Sequence, residues 1–449
     1  MKILFVLNHF LPAQVAGTEV YVLALCKELK KINIQVKVVI PNYGIDKTEK
    51  YFFEEIEIIK YAETSVVDRE LIIGKRVPAG LPFFVDVLTS ENPDIVHFHE
   101  LAGSNGITLH HVLQSKSSGF KTVFTFHLAG YSCKTGHLMY KDEVYCDGII
   151  DIKKCSYCFL TVRNNNKLLT NILYGAGMFN YLIGFNGTKL NSGLGTAISV
   201  PFLIQKIKND LHAIESSCDT LITLTDWYYK ILVNNEVNPK KICIIRQGLV
   251  NQYSTTETTD RKTSLPLKVA FIGRISHFKG VHLLLDAIND IEHEKISLDI
   301  FGRDENDNYS KNCKRKSANL LNVKWKGLIN PEEVVSKLRN YDLLVLPSTF
   351  SEMSPLVIQE AFAAGIPVLA SDVYGNAEQV SDNMNGWLFK FKDSSDLRKK
   401  LIMLINQPSL IQQAKSKIVP PRSFADVASE YIDIYNTLLS TAKSFEKYN

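Results

Sequence analysis

The chain of 449 residues is long enough for two or three domains, and its composition, 45% hydrophobic and 22% charged, is that of a protein with a sizeable buried core. A net charge of +4 over this length supplies no concentrated basic face, which argues against nucleic acid as a partner. No apolar run reaches the length of a bilayer span, the run over 3–7 is too short for a secretory signal, and eight cysteines without one point to a reducing, cytoplasmic location.

From the N-terminus, residues 2–7 read as a strand, 8–16 as a loop, and a helix opens near Gly17 with Val22, Leu25, Cys26 and Leu29 on its buried stripe. Another strand follows over 36–40. This alternation is the sign of a parallel sheet covered by helices. The first loop lacks Gly-x-Gly-x-x-Gly spacing, so it is not a dinucleotide fingerprint. Gly17 either eases a tight strand-to-helix turn or lets a ligand phosphate approach the backbone. Strands are expected over 94–99 and 121–126, which places His127 at a carboxyl end, where open α/β sheets bind ligands. His99 reads first as a structural histidine.

Cys133, Cys146, Cys155 and Cys158 follow, ending in Cys-x-x-Cys. Four thiols in so short a stretch suit a tetrahedral structural zinc, with Gly136 and Gly148 allowing the turns; free thiols and redox chemistry are the other readings. A metal held by four thiolates has no open position and would brace the chain without doing chemistry. Residues 164–204 combine Asn-rich turns with a Gly-containing apolar run. They read either as an irregular insertion packed on the domain or as a face for an acceptor groove or for peripheral membrane contact, with Arg163, Lys167 and Lys189 nearby. Strands over 221–224 and 242–246 complete this half, and the polar stretch 253–266 has linker composition.

A second strand-and-helix series begins at 267–272. Its first loop, 273–280, carries Arg274 and Lys279 and leads into a helix striped by Val281, Leu284, Leu285 and Ile288. It is not a P-loop, because Phe278 and Gly280 occupy positions that need Gly and Ser or Thr. Two cations in one strand-to-helix loop at the ligand end of a sheet suit a diphosphate. The strand expected over 341–347 leads into a helix with Ile358, Ala361, Phe362 and Gly365 on one face. Ser354 is its expected cap and Pro355 its first residue. The free amides of Leu356 and Val357 would bind an anion, with Glu352 just outside the helix and Glu360 further along it. A phosphate flanked by carboxylates fits a ligand whose anionic middle joins two hydroxyl-rich ends, as in a nucleoside diphosphate sugar. The final helix is expected over 424–440, after Pro420-Pro421.

These residues resemble the signature of glycosyltransferase family 4: a Glu, seven residues and a Glu at Glu352 and Glu360, Gly-Arg-x-x-x-x-Lys-Gly over 273–280, and the Gly-x-Glu turn at Gly17. Ala16, Leu128, Ser354-Pro355 and Gln247-Gly248 depart from the family's usual residues. The resemblance implies an α/β chain of GT-B fold, two Rossmann-like doubly wound domains facing a cleft. The domains would span 1–252, with a Cys-rich insertion over about 128–215, and 267–420, with 421–449 crossing back to the first. It further implies a retaining transfer from a UDP- or GDP-sugar to a saccharide or lipid-linked acceptor, in polysaccharide or glycoconjugate synthesis and at or near the inner face of the membrane. His127 and Glu352 would be catalytic, and Gly17, Arg274, Lys279, Leu356, Val357 and Glu360 would hold the donor. No catalytic cofactor is expected, because no Asp-x-Asp pair occurs to hold a phosphate-bridging metal. The alternatives are another GT-B enzyme, such as a sugar-nucleotide epimerase or phosphorylase, and a non-catalytic binding protein braced by zinc.

Overall fold

The structure is a computed structural model that describes residues 1–446 apart from Val15, Lys75, Asn165, Asn191 and 251–262. Most of the stretch with linker composition therefore lies outside the described residues. The chain divides into two compact units, Met1–Arg246 with Phe424–Asn449, and Gln247–Ser423.

The first unit is built on an eight-stranded sheet. Its strands are β1 (Lys2–Val6), β2 (Gln35–Tyr43), β3 (Glu49–Phe53), β4 (Ile56–Glu63), β5 (Ile95–Phe98), β6 (Lys121–Phe126), then, beyond a small hairpin of β7 (Met139–Tyr140) and β8 (Val144–Tyr145), β9 (Thr220–Thr223) and β10 (Ile242–Ile244). The order is β10-β9-β6-β5-β1-β2-β4-β3, parallel except for the edge strand β3. Ile3, Leu4, Phe5 and Val6 are all fully buried, the mark of a central strand covered on both faces. The chain reverses its direction of growth between β1 and β5, and the loops leaving these two strands flank that switch.

Between β6 and β9 the insertion is helical where the sequence suggested an irregular segment. Helices run over Ile152–Arg163, Lys167–Leu182, Gly193–Ala197 and Val200–Ser217. Asn166 accepts hydrogen bonds from the Leu168 and Leu169 amides and so caps the second of them, a signal hidden in the Asn-rich run. The last helix, Phe424–Glu446, belongs to this unit; Tyr431 and Tyr435 are fully buried in it.

The second unit carries six parallel strands, β11 (Leu267–Ile272), β12 (Ile296–Phe301), β13 (Val323–Gly327), β14 (Leu343–Leu346), β15 (Val368–Ser371) and β16 (Gly386–Phe389), in the order β13-β12-β11-β14-β15-β16. This is the doubly wound arrangement, with its switch between β11 and β14. The two-residue period sorts the core. Val269, Phe271, Leu343 and Val345 pack on one face with the helix Val281–Ile288, while Ala270, Leu344 and Leu346 pack on the other with the helix Leu356–Ala363. Both units are thus Rossmann-like, as expected from the sequence.

Candidate active site

In the second unit, the loop after β11 and the loop after β14 leave adjacent strands at the switch point. They are stitched together: Thr349 donates from its amide to the Phe278 carbonyl at 2.8 Å and from its hydroxyl to the His277 carbonyl at 2.9 Å. Gly280 has φ of +69°, and a Cβ there would run into the carbonyl of Pro347, so glycine is required for this approach. The result is that Lys279 Nζ reaches Glu352 Oε1 at 2.6 Å. Ser348 donates to the same oxygen at 2.7 Å. Ser348 is held in turn by its carbonyl, which accepts from the Ser371 hydroxyl at 2.7 Å.

Arg274 is exposed at the start of the loop after β11, with no ion-pair partner among the described residues. The helix Leu356–Ala363 begins after Pro355, which is the cap itself. Ser354 makes no capping bond, contrary to the expectation, because the helix starts one residue later. Leu356 and Val357 therefore occupy its first two positions, where amides lack intrahelical acceptors. Glu360 is half-buried, no side-chain bond to it exists among the described residues, and burial pushes its carboxyl up to about 7. Residues 375–378 lie in a short helix, Tyr374–Gln379.

In the first unit, Gly17 opens the helix Gly17–Lys31 directly after the β1 loop. A Cβ at Gly17 would meet no atom of the described residues within 4 Å, so their packing does not demand glycine there. His127 follows β6 and is nearly buried, and its Nε2 lies 2.9 Å from Nδ1 of His99. Burial drives both rings toward the neutral form, His127 down to about 3. One nitrogen of the pair therefore donates and the other accepts. His99 Nε2 is buried without a partner among the described residues, so a bare acceptor there is the cheaper arrangement. His99 Nδ1–H then donates, and the proton of His127 sits on Nδ1. Behind the pair, His97 bonds Tyr435 Oη at 2.7 Å and Thr125 Oγ1 at 2.8 Å, and Tyr21 and Tyr431 join hydroxyls at 3.0 Å. Tyr21 also packs edge-on against His127.

Sequence reasoning missed a polar cavity of about 460 Å³ at the carboxyl ends of β1, β2, β4 and β5, lined by Asn8, His9, Tyr43, Glu100, Asn105 and neighbours. Glu100 accepts from the Asn8 amide at 2.8 Å. Glu19, beside Gly17, is buried; burial raises its carboxyl, Glu100 adds to the rise, and Oε2 has no partner among the described residues. Only the position of Glu100, two residues past a strand end, signalled any of this. A second cavity, at the amino ends of β11 and β12, is lined by Lys268 and Ser297 and lies at the opposite strand ends from the Lys279 loop.

Cys133, Cys146, Cys155 and Cys158 all line one small cavity. Cys155 and Cys158 are one turn apart on a helix, and Cys158 Sγ accepts from the Lys141 amide at 3.1 Å. Burial raises the Cys155 thiol to about 12 and raises Cys146 and Cys158 as well. Among the described residues, no set of three or more His, Cys, Asp or Glu side chains is placed to hold a metal ion.

Two family models match: "Glycosyl transferases group 1" over residues 257–418 and "Glycosyltransferase Family 4" over 15–144. The glycogen synthase of Mycobacterium tuberculosis is 24% identical over 245 residues, 51% of this chain and 58% of that one. Sucrose-phosphate synthase from Thermosynechococcus elongatus shares the fold with a TM-score of 0.65 at 15% identity, covering 98% of this chain and 99% of that one. Anabaena HepE, solved in complex with UDP-glucose, does so at 0.58 and 15%, covering 99% and 100%. The structural likenesses show the fold, two Rossmann-like units as in GT-B glycosyltransferases, and two stretches of the chain match glycosyltransferase family models. The chain spans about half the length of the curated relatives it matches, from 34% to 62%.

Proposed function

We propose that the chain transfers a sugar from a nucleoside diphosphate sugar, UDP- or GDP-linked, to a saccharide or lipid-linked acceptor with retention at the anomeric carbon. The observation that carries this reading is the Lys279–Glu352 pair at the switch point of the second sheet, beside the free amides of Leu356 and Val357. The two family models, and a structural neighbour solved with UDP-glucose, support it.

In this reading Arg274, Lys279 and the two amides hold the diphosphate, Glu360 takes the ribose hydroxyls, and Glu352 orients Lys279 and accepts from sugar hydroxyls. As the bond between the anomeric carbon and the phosphate oxygen breaks, negative charge grows on the leaving diphosphate, and fixed cations stabilise it. The acceptor oxygen bonds the anomeric carbon on the same face, and its proton passes to the departing phosphate oxygen. His127 Nδ1–H donates to the sugar near the reacting carbon. The turn at Gly17, where the described residues leave open space beside the Cα, admits the phosphate end. The polar cavity lined by Asn8, Glu100 and Asn105 takes the acceptor's hydroxyls.

The four thiols are proposed as a zinc site that braces the insertion; because no three of them are placed to hold an ion as they stand, the side chains would draw together as the metal binds. Their common cavity and the amide bonded to Cys158 support it. The chemistry of transfer does not pass through it.

Thermal-shift titration with UDP and GDP, followed by a screen of labelled donors and NMR of the product's anomeric configuration, tests the assignment. Stabilisation by one nucleotide and a retained configuration are expected; no stabilisation by either would end it.

A further inference from the structure

The helix Lys167–Leu182 turns an apolar face to solvent. Its inward side, with Thr170, Leu173 and Gly177 buried, packs on the helices Ile152–Arg163 and Val200–Ser217, and Tyr181 donates to Gln205 of the latter at 3.1 Å. The outward side carries Leu168, Ile172, Phe179 and Leu182, continued by Ile183 and Phe185; Phe179 is 62% exposed and Leu182 80%. Leu168, Ile172, Phe179 and Leu182 fall on one helical stripe, and Gly175 and Ala176 fill the gap without adding a polar group. A stripe of this size left open to water marks an interaction surface.

Charge says what covers it. From residue 152 to residue 209 the chain contains lysines and arginines but no aspartate or glutamate. Arg163 and Lys167 are exposed at one end of the stripe, with no carboxylate partner among the described residues. Lys154 and Lys206 reach acids only beyond the segment's ends, at Asp147 and Asp210. A partner protein's groove would need the apolar stripe but not an acid-free surround. The headgroup region of an anionic bilayer uses both. No helix among the described residues is long and apolar enough to cross a membrane, so the helix would lie in the interface.

We propose that the outward face of Lys167–Leu182 docks on the surface of an anionic phospholipid bilayer, apolar side chains in the acyl boundary and Arg163 and Lys167 among the headgroups. This stands apart from the transfer reading, because it rests on residues outside the donor and acceptor sites.

The test is co-sedimentation of the full chain with phosphatidylcholine vesicles, with and without phosphatidylglycerol. Wild type should pellet with the anionic vesicles. The double variant Phe179→Asp/Leu182→Asp should lose about tenfold in partitioning. Arg163→Glu/Lys167→Glu should weaken binding several-fold at low salt, with the difference shrinking at high salt. Because the altered side chains are exposed, both variants should keep the wild-type unfolding midpoint and any nucleotide-induced shift. Absence of pelleting, or apolar-face variants that pellet like wild type, would overturn the proposal. So would sedimentation equilibrium showing a dimer that Phe179→Asp dissociates, which would assign the face to a second copy.

Discussion

Lys279 and Glu352, 73 residues apart in the chain, close an ion pair at 2.6 Å across two loops that leave neighbouring strands. Their side chains are 18% and 8% exposed, so the ammonium is fixed before any ligand arrives. Lys279→Ala should lower kcat/KM by about two to three orders of magnitude, since it removes a fixed charge at the leaving group. It should also strand a buried carboxylate, costing about 1–3 kcal/mol. Lys279→Met with Glu352→Gln should recover most of that stability and none of the activity. Normal turnover in Lys279→Ala would remove the proposed role.

Glu360 supplies a pH signature. Burial holds its carboxyl up to about 7, and hydroxyls donating to it would favour the charged form. Donor affinity should therefore rise with pH through about 7 and level off above. Stability runs the other way. A carboxyl raised in the folded state contributes stability that is full below the ordinary value of 4.5 and is lost as pH rises through about 7. Glu360→Gln should flatten both profiles, read by calorimetric titration of nucleotide and by unfolding midpoints. An unchanged affinity profile in that variant would take Glu360 out of the donor site.

The buried strands were legible because their apolar runs have strand length and lie between turn residues, as in 121–126 and 267–272. The carboxyl-end positions of His127, Lys279 and Glu352 followed from those strands. The pairings did not. Which group meets Glu352, or that His99 orients His127, depends on strand order, which sequence spacing does not encode. The insertion was misread for a different reason. Lys167–Leu182 is apolar on both its packed and its exposed sides, so the polar face that betrays a surface helix is missing.

The His99–His127 pair makes a kinetic prediction. Both rings stay neutral far below physiological pH because they are buried, so neither sets an acid limb near neutrality. His127→Ala should cut kcat by about a hundredfold if Nδ1–H bonds the transition state. His99→Ala should cost less, with donor Kd unchanged, because it only frees the His127 ring. In both variants the acid limb of the pH–rate profile should remain where it is in wild type. Loss of that limb in His127→Ala would mean that this ring titrates.

The four thiols are tested by metal content. Protein purified without chelator should hold about one zinc per chain, and Cys155→Ser/Cys158→Ser should hold none while keeping part of its transfer activity. Full thiol titration with no metal bound would assign the cysteines to packing alone.

The cavity beside Asn8 separates acceptor from donor. Glu100 accepts from the Asn8 amide, and Asn105 donates to the Thr64 carbonyl at 2.7 Å, so both side chains are oriented by backbone before any saccharide arrives. Glu100→Gln keeps the shape and an acceptor oxygen but removes a charge that strengthens hydrogen bonds from sugar hydroxyls. Acceptor KM should rise by about tenfold, while donor KM and the hydrolysis of donor without acceptor stay near wild type. A rise in donor KM instead would move this cavity to the nucleotide side. Equal loss in both would mean that Glu100 acts through the fold of the β1 loop, and Asn105→Asp, which preserves size, would then show the same pattern.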